Sequence, residues 1–132
     1  MVISGRSLVE QLRDQVAELS VVQLHERLQQ NPQAIVIDIR EVKETVEGFI
    51  PNAVLIPRGV LEMQIDSAES IKQRFDTLEE LAEQPVYLVC RSGVRSILSA
   101  LSLELMGFKN VYSIAGGFLA WQNEGYEVSH DS

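Results

Sequence analysis

The sequence predicts an α/β fold with a mostly parallel central sheet flanked by helices on both faces, and three observations carry that prediction. Helix-like and strand-like segments alternate along the chain, the order that builds parallel sheets. Residues 34–39 and 85–89 are near-continuous apolar runs, as expected of strands buried on both sides. A chain of 132 residues that is 45% hydrophobic has the content of one domain with one full-sized core.

The elements follow in order. Leu8, Leu12 and Val16, joined by Val9 and Leu19, recur at helical spacing and predict an amphipathic helical extension over residues 1–18, ahead of a single domain at 19–128. That helix is expected to pack on its own domain, with a docking face for another protein as the alternative. Ser20 has the character of an N-cap, with Gln23 at the capping-box position, for a helix carrying Val21, Leu24 and Leu28. Residues 34–39 form the first core strand, and Gly48 and Pro51 punctuate the path to a short strand at 54–56. From 59 to 83 the pattern gives two or three short helices with Leu61, Ile65, Ile71, Phe75, Leu78 and Leu81 facing inward. Residues 85–89 form the next strand; the helix after it ends in a glycine cap at Gly107. Residues 111–114 make another strand, Gly116 and Gly117 open a last helix with Leu119 and Trp121, and 129–132 read as a frayed tail.

Composition narrows the function. A net charge of −8 repels nucleic acid and anionic membranes, so neither is expected as a partner. No basic segment followed by an apolar leader opens the sequence, and no stretch approaches the ~20 apolar residues of a spanning helix. One cysteine excludes an intramolecular disulfide and suits a reducing compartment, so a cytoplasmic location is expected.

That cysteine is the most informative residue. Cys90, Arg91, Ser92, Gly93, Val94, Arg95 and Ser96 connect the 85–89 strand to the following helix, which puts the sulfur at a strand-to-helix turn. Free N–H groups of a first helical turn converge there, and the helix dipole adds positive charge. Thiols in such surroundings, with arginines nearby, titrate at roughly 3.5 to 7.5 instead of ~8.5. The turn therefore predicts an exposed thiolate at Cys90, activated without a histidine base; His25 and His130 lie in segments with no character of a site. An inert buried cysteine would not call for Arg91, Ser92, Gly93 and Arg95 around it. Arg40, Arg58, Arg91 and Arg95 are expected to focus anions against the acidic background, with a solvated loop position as the other reading of Arg58. Asp38 and Arg40 fall at the end of the first strand, where parallel sheets bind ligands; for Asp38 a structural ion pair is the simpler reading.

The motifs CRSGVRS and GFKNVYSIAGGFLAW, preceded by IDIRE and GFIPNAVLIP, resemble the rhodanese family over residues 19–126. The resemblance implies a rhodanese-like fold of the single-domain type and a sulfurtransferase. In that chemistry the Cys90 thiolate takes the sulfane sulfur of thiosulfate or a persulfide, and a thiol or protein acceptor, or cyanide in an assay, collects it. The backbone N–H groups from Arg91 to Ser96 would hold the persulfide, while Arg91 and Arg95 attract the donor. Asp38 and Arg40 match the family's DxR pattern. No cofactor is implied, and no residue is assigned to a metal. Phe49 and Asn52 depart from the family's usual GHIPGA turn, standing where it has histidine and glycine.

Two other functions fit the same residues. As the alternative to the sulfurtransferase, the same residues would serve a persulfide carrier or regulatory module for one partner protein. A cysteine phosphatase or arsenate reductase is the more distant alternative: a phosphatase loop has five residues between Cys and Arg, whereas four separate Cys90 from Arg95 here. The shorter loop suits a sulfur atom better than a phosphoryl group with three spread oxygens.

Overall fold

The structure, a computed structural model, describes residues 1–130. Strands β1 (Ala17–Leu19), β2 (Ile35–Asp38), β3 (Val54–Leu55), β4 (Val86–Val89) and β5 (Val111–Ile114) form one sheet in the order β1-β5-β4-β2-β3, with every neighbouring pair parallel. The helices are α1 (Gly5–Leu12), α2 (Val21–Gln30), α3 (Val42–Thr45), α4 (Leu61–Gln64), α5 (Glu69–Lys72), α6 (Leu78–Ala82), α7 (Arg95–Leu105) and α8 (Gly117–Asn123). Alternate strand residues serve opposite faces. Ile35, Ile37, Val86 and Leu88 pack in one core with Val9, Leu61, Ile71, Leu81, Ile97 and Leu103, beneath α1 and α4 to α7. Val36, Tyr87, Val89 and Ile114 pack in the other with Val21, Leu24, Phe118 and Trp121 of α2 and α8. Burial on both faces is why β2 and β4 have no polar alternation.

Local signals set the helix ends. The Ser20 hydroxyl accepts from the Gln23 N–H at 3.1 Å and the Gln23 side chain accepts from the Ser20 N–H at 2.9 Å, closing the expected box. At the end of α7, Gly107 takes φ 103°. Its N–H donates to Glu104 O and that of Phe108 to Leu103 O, which satisfies carbonyls the helix leaves open.

The N-terminus differs from the expected helix over residues 1–18. α1 stops at Leu12, a 3-10 turn occupies Arg13–Gln15, and residues 17–19 form β1, so the boundary at 18/19 cuts through a strand. Helical spacing extends to Val16 and Leu19, but the edge of β5 offers backbone partners, and Ala17, Glu18 and Leu19 pair with Tyr112, Ser113 and Ile114. Arg13 braces the turn between Glu10 at 3.1 Å and Glu18 at 2.7 Å. Within α1 the buried residue is Val9; Leu8 is exposed.

The tail also differs. Phe49 and Ser129 exchange backbone N–H donors at 2.9 and 2.8 Å, so fraying does not begin at residue 129. Residues 131 and 132 lie outside the described ones. Asn52, at the family's glycine position, has φ 68°, a conformation that asparagine tolerates better than most residues.

Candidate active site

Cys90 follows β4, the central strand, and the loop 90–94 carries the chain to the start of α7. Its Sγ accepts from the Gly93 N–H at 3.1 Å and lies 3.4 Å from Ser96 Oγ. The N–H groups of Arg91, Ser92, Val94, Arg95 and Ser96 donate to no backbone carbonyl among the described residues, so the turn keeps a set of donors without carbonyl partners.

Packing fixes this loop from behind. Gly93 adopts φ 89°, and a Cβ there would come within 2.8 Å of Gly116 N. Gly117 adopts φ 56°, and a Cβ there would overlap the Cys90 and Arg91 carbonyls. With no side chain in the way, Phe118 N–H donates to Cys90 O at 2.8 Å and Leu119 N–H to Arg91 O at 3.1 Å. The glycine pair that opens α8 is therefore a brace for the cysteine loop.

One expectation is overturned: Cys90 is not exposed. Only 1% of the residue is accessible, and it belongs to the core cluster that includes Ile37, Leu88 and Ile97. The exposed part of the turn is Arg91 and Ser92.

The four arginines expected to focus anions have different fates. Arg40 is buried with Asp38; its Nε and Nη2 donate to Asp38 Oδ1 and Oδ2 at 3.0 and 2.8 Å. The same guanidinium donates to the carbonyls of Glu44 at 3.1 Å and Gly48 at 2.8 Å and lies 4.2 Å from the Phe118 ring centre. Arg95 is held by Glu44 in a two-pronged pair, both contacts at 2.9 Å. That guanidinium, aided by an N–H donated from Glu41, holds the Glu44 carboxyl down at about 2 against desolvation, while Glu44 pushes Arg95 up. Arg58 is exposed on the Arg58–Val60 turn and acts electrostatically on Glu62. Arg91 has no carboxylate partner among the described residues. A cleft of about 470 Å³ opens beside it, walled by Arg40, Lys43, Glu44, Val46 and Phe118.

The structure thus gathers Cys90, Arg91, Ser92, Gly93, Val94, Arg95, Ser96, Asp38 and Arg40 at one end of the sheet, whereas Arg58 is tied in through its backbone, its N–H donating to Ile39 O and its carbonyl accepting from the Leu61 N–H. Sequence reasoning passed over Glu44, one of several acidic residues in its stretch, and Ser113. The latter did leave a signal: it is a small hydroxyl residue at a buried position of strand β5.

A cysteine on a strand-to-helix turn at the carboxyl end of a parallel sheet, beside backbone N–H groups without carbonyl partners, is the layout of a class of α/β domains that present a thiol at the ligand-binding end of the sheet. The comparisons narrow that class. The model of the rhodanese-like domain matches residues 20–124, and the chain belongs to that family, whose members include sulfurtransferases. It is 33% identical to YtwF of Bacillus subtilis over 83% of this chain and 94% of that one. It is 26% identical to a sulfurtransferase of Allochromatium vinosum over 86% of this chain and 94% of the other. In structure it is similar to the polysulfide-sulfur transferase of Wolinella succinogenes, with a TM-score of 0.73, 28% identity, and 96% and 88% of the two chains covered. Among the described residues no helix is long and apolar enough to cross a membrane.

Proposed function

We propose that this chain transfers sulfane sulfur from thiosulfate or a persulfide to a thiol through a persulfide on Cys90. The Cys90 thiolate attacks the outer sulfur of the donor, the new S–S bond forms, and sulfite or a thiolate departs with the electrons of the broken bond. An acceptor thiolate then attacks the outer sulfur of the persulfide and returns Cys90 as a thiolate. The observation that carries this reading is the Gly93 N–H on Sγ within a turn of uncommitted amides, a preorganised shell for negative charge on sulfur. Arg91 draws the anionic donor, and Arg95, tied to Glu44, shapes the loop. Because Cys90 is enclosed, donor entry requires the turn that carries it to open locally. A cytoplasm kept reducing would preserve the thiol.

Mass spectrometry after incubation with thiosulfate tests the proposal. An adduct of about 32 Da on Cys90, removed by added thiol, is expected. No adduct with thiosulfate, polysulfide or a small-molecule persulfide sinks it. An adduct only from a persulfidated protein favours the carrier reading, which 28% identity to a relative named for sulfur carriage, over 80% of this chain and about half of that one, also supports.

A further inference from the structure

Behind Cys90 lie two buried hydroxyls that the proposed reaction leaves without a role. Ser96, in the first turn of α7, and Ser113, on β5, both have no accessible surface, and their Oγ atoms are 2.6 Å apart. With Ser96 Oγ 3.4 Å from Cys90 Sγ, they form a chain from sulfur to hydroxyl to hydroxyl. Ser113 Oγ has no other hydrogen-bond partner among the described residues.

Counting protons along this chain separates the two states of the sulfur. The thiol form has three protons, one each on Cys90, Ser96 and Ser113, for only two contacts, so one buried donor is always left without an acceptor. With an ionised sulfur there are two protons for the same two contacts: Ser113 donates to Ser96, Ser96 donates to Sγ, and no donor is stranded. A persulfide meets the same condition, since its inner sulfur carries no proton. Water cannot relieve the mismatch, because neither hydroxyl is accessible.

We propose that Ser113 is a positioning residue that acts through Ser96 to favour the proton-free sulfur of Cys90. The inference rests on Cys90 as the nucleophile but not on the identity of the sulfur donor. The charged groups around the sulfur are Arg91 and Arg95 on the loop and α7, Glu44 against Arg95, and the Asp38–Arg40 pair after β2. None of them contacts Ser113, so a Ser113 substitution leaves that field in place.

The test is the rate of alkylation of the resting protein by iodoacetamide as a function of pH, which needs no sulfur donor. Ser113→Ala should move the midpoint of that profile upward by about half a unit, which slows alkylation about threefold at pH values below the midpoint. Ser96→Ala should move it further, and the double variant should behave as Ser96→Ala alone. Ser113→Thr, which keeps the hydroxyl, should restore the wild-type midpoint. Unmoved midpoints in Ser113→Ala and Ser96→Ala, whatever happens to melting temperature, overturn the proposal. So does a double variant shifted by the sum of the single effects. If Ser113→Ala does not fold, an unmoved midpoint in Ser96→Ala is sufficient to reject it. A wild-type response in this assay with no persulfide adduct would refute sulfur transfer and leave the relay standing.

Discussion

The 90–96 loop and the 38–48 segment meet at the same end of the sheet, yet their polar groups are used in opposite ways. In the 38–48 segment the Arg40 guanidinium is matched to Asp38 and to the carbonyls of Glu44 and Gly48, the Thr45 hydroxyl donates to Val42 O, and Glu44 takes Arg95. In the loop, amide after amide donates to no carbonyl, and one cation, Arg91, makes no ion pair among the described residues. A satisfied clamp holds an unsatisfied cradle. The difference teaches that charge near a site is no measure of anion attraction: two of the four candidate arginines are already neutralised by the protein.

The largest effect separating the two regions should come from Cys90→Ser, which removes persulfide formation and turnover entirely while melting close to wild type; a persulfide adduct on that variant would mean the cradle is not where sulfur is carried. On the clamp side, Asp38→Asn leaves a buried guanidinium without its counter-charge and should cost about 3–5 kcal/mol in urea denaturation. A loss under about 1 kcal/mol, with a large rise in KM, would mean that Arg40 binds the donor and that the contrast is misdrawn.

Gly117→Ala probes the contact between the regions' shared brace and the loop. The new Cβ must displace the Cys90 and Arg91 carbonyls from a backbone with φ 56°, and about 1–3 kcal/mol of strain should appear as a drop in kcat at least tenfold larger than the change in KM. Arg91→Ala should raise KM for thiosulfate about fivefold with kcat nearly unchanged, as removal of one exposed charge would. An unchanged KM would remove Arg91 from donor capture.

The smallest effect belongs to Glu44→Gln. It frees Arg95, so KM for thiosulfate should fall about twofold, while stability drops by about 0.5–1 kcal/mol at pH 7. The pH dependence has a definite sign. Glu44 titrates at about 2 in the folded protein, below its ordinary 4.5, so its contribution is complete above pH 4.5 and fades as the pH falls toward 2. The stability gap between wild type and Glu44→Gln should close over that window in pH-dependent melting curves.

Much of this was legible in the residues. The apolar runs of β2 and β4 report two-sided burial, Ser20 with Gln23 reports a cap, and a lone cysteine between strand and helix reports the turn at the end of β4, because each signal is local in sequence. Local reasoning failed where partners are far apart. Helical spacing through Leu19 is compatible with α1 continuing, and only the open edge of β5, nearly a hundred positions on, draws residues 17–19 into the sheet.

What the sequence determined by itself is the alternation that builds the parallel sheet and the cysteine turn at its centre, since pattern and turn chemistry act over a few residues. Tertiary structure alone decided which charges stay free, how deeply Cys90 is enclosed, and that Ser113 stands behind it. Arg95 meets Glu44 across 51 positions and Ser96 meets Ser113 across 17, and such pairings exist only once the chain has closed on itself.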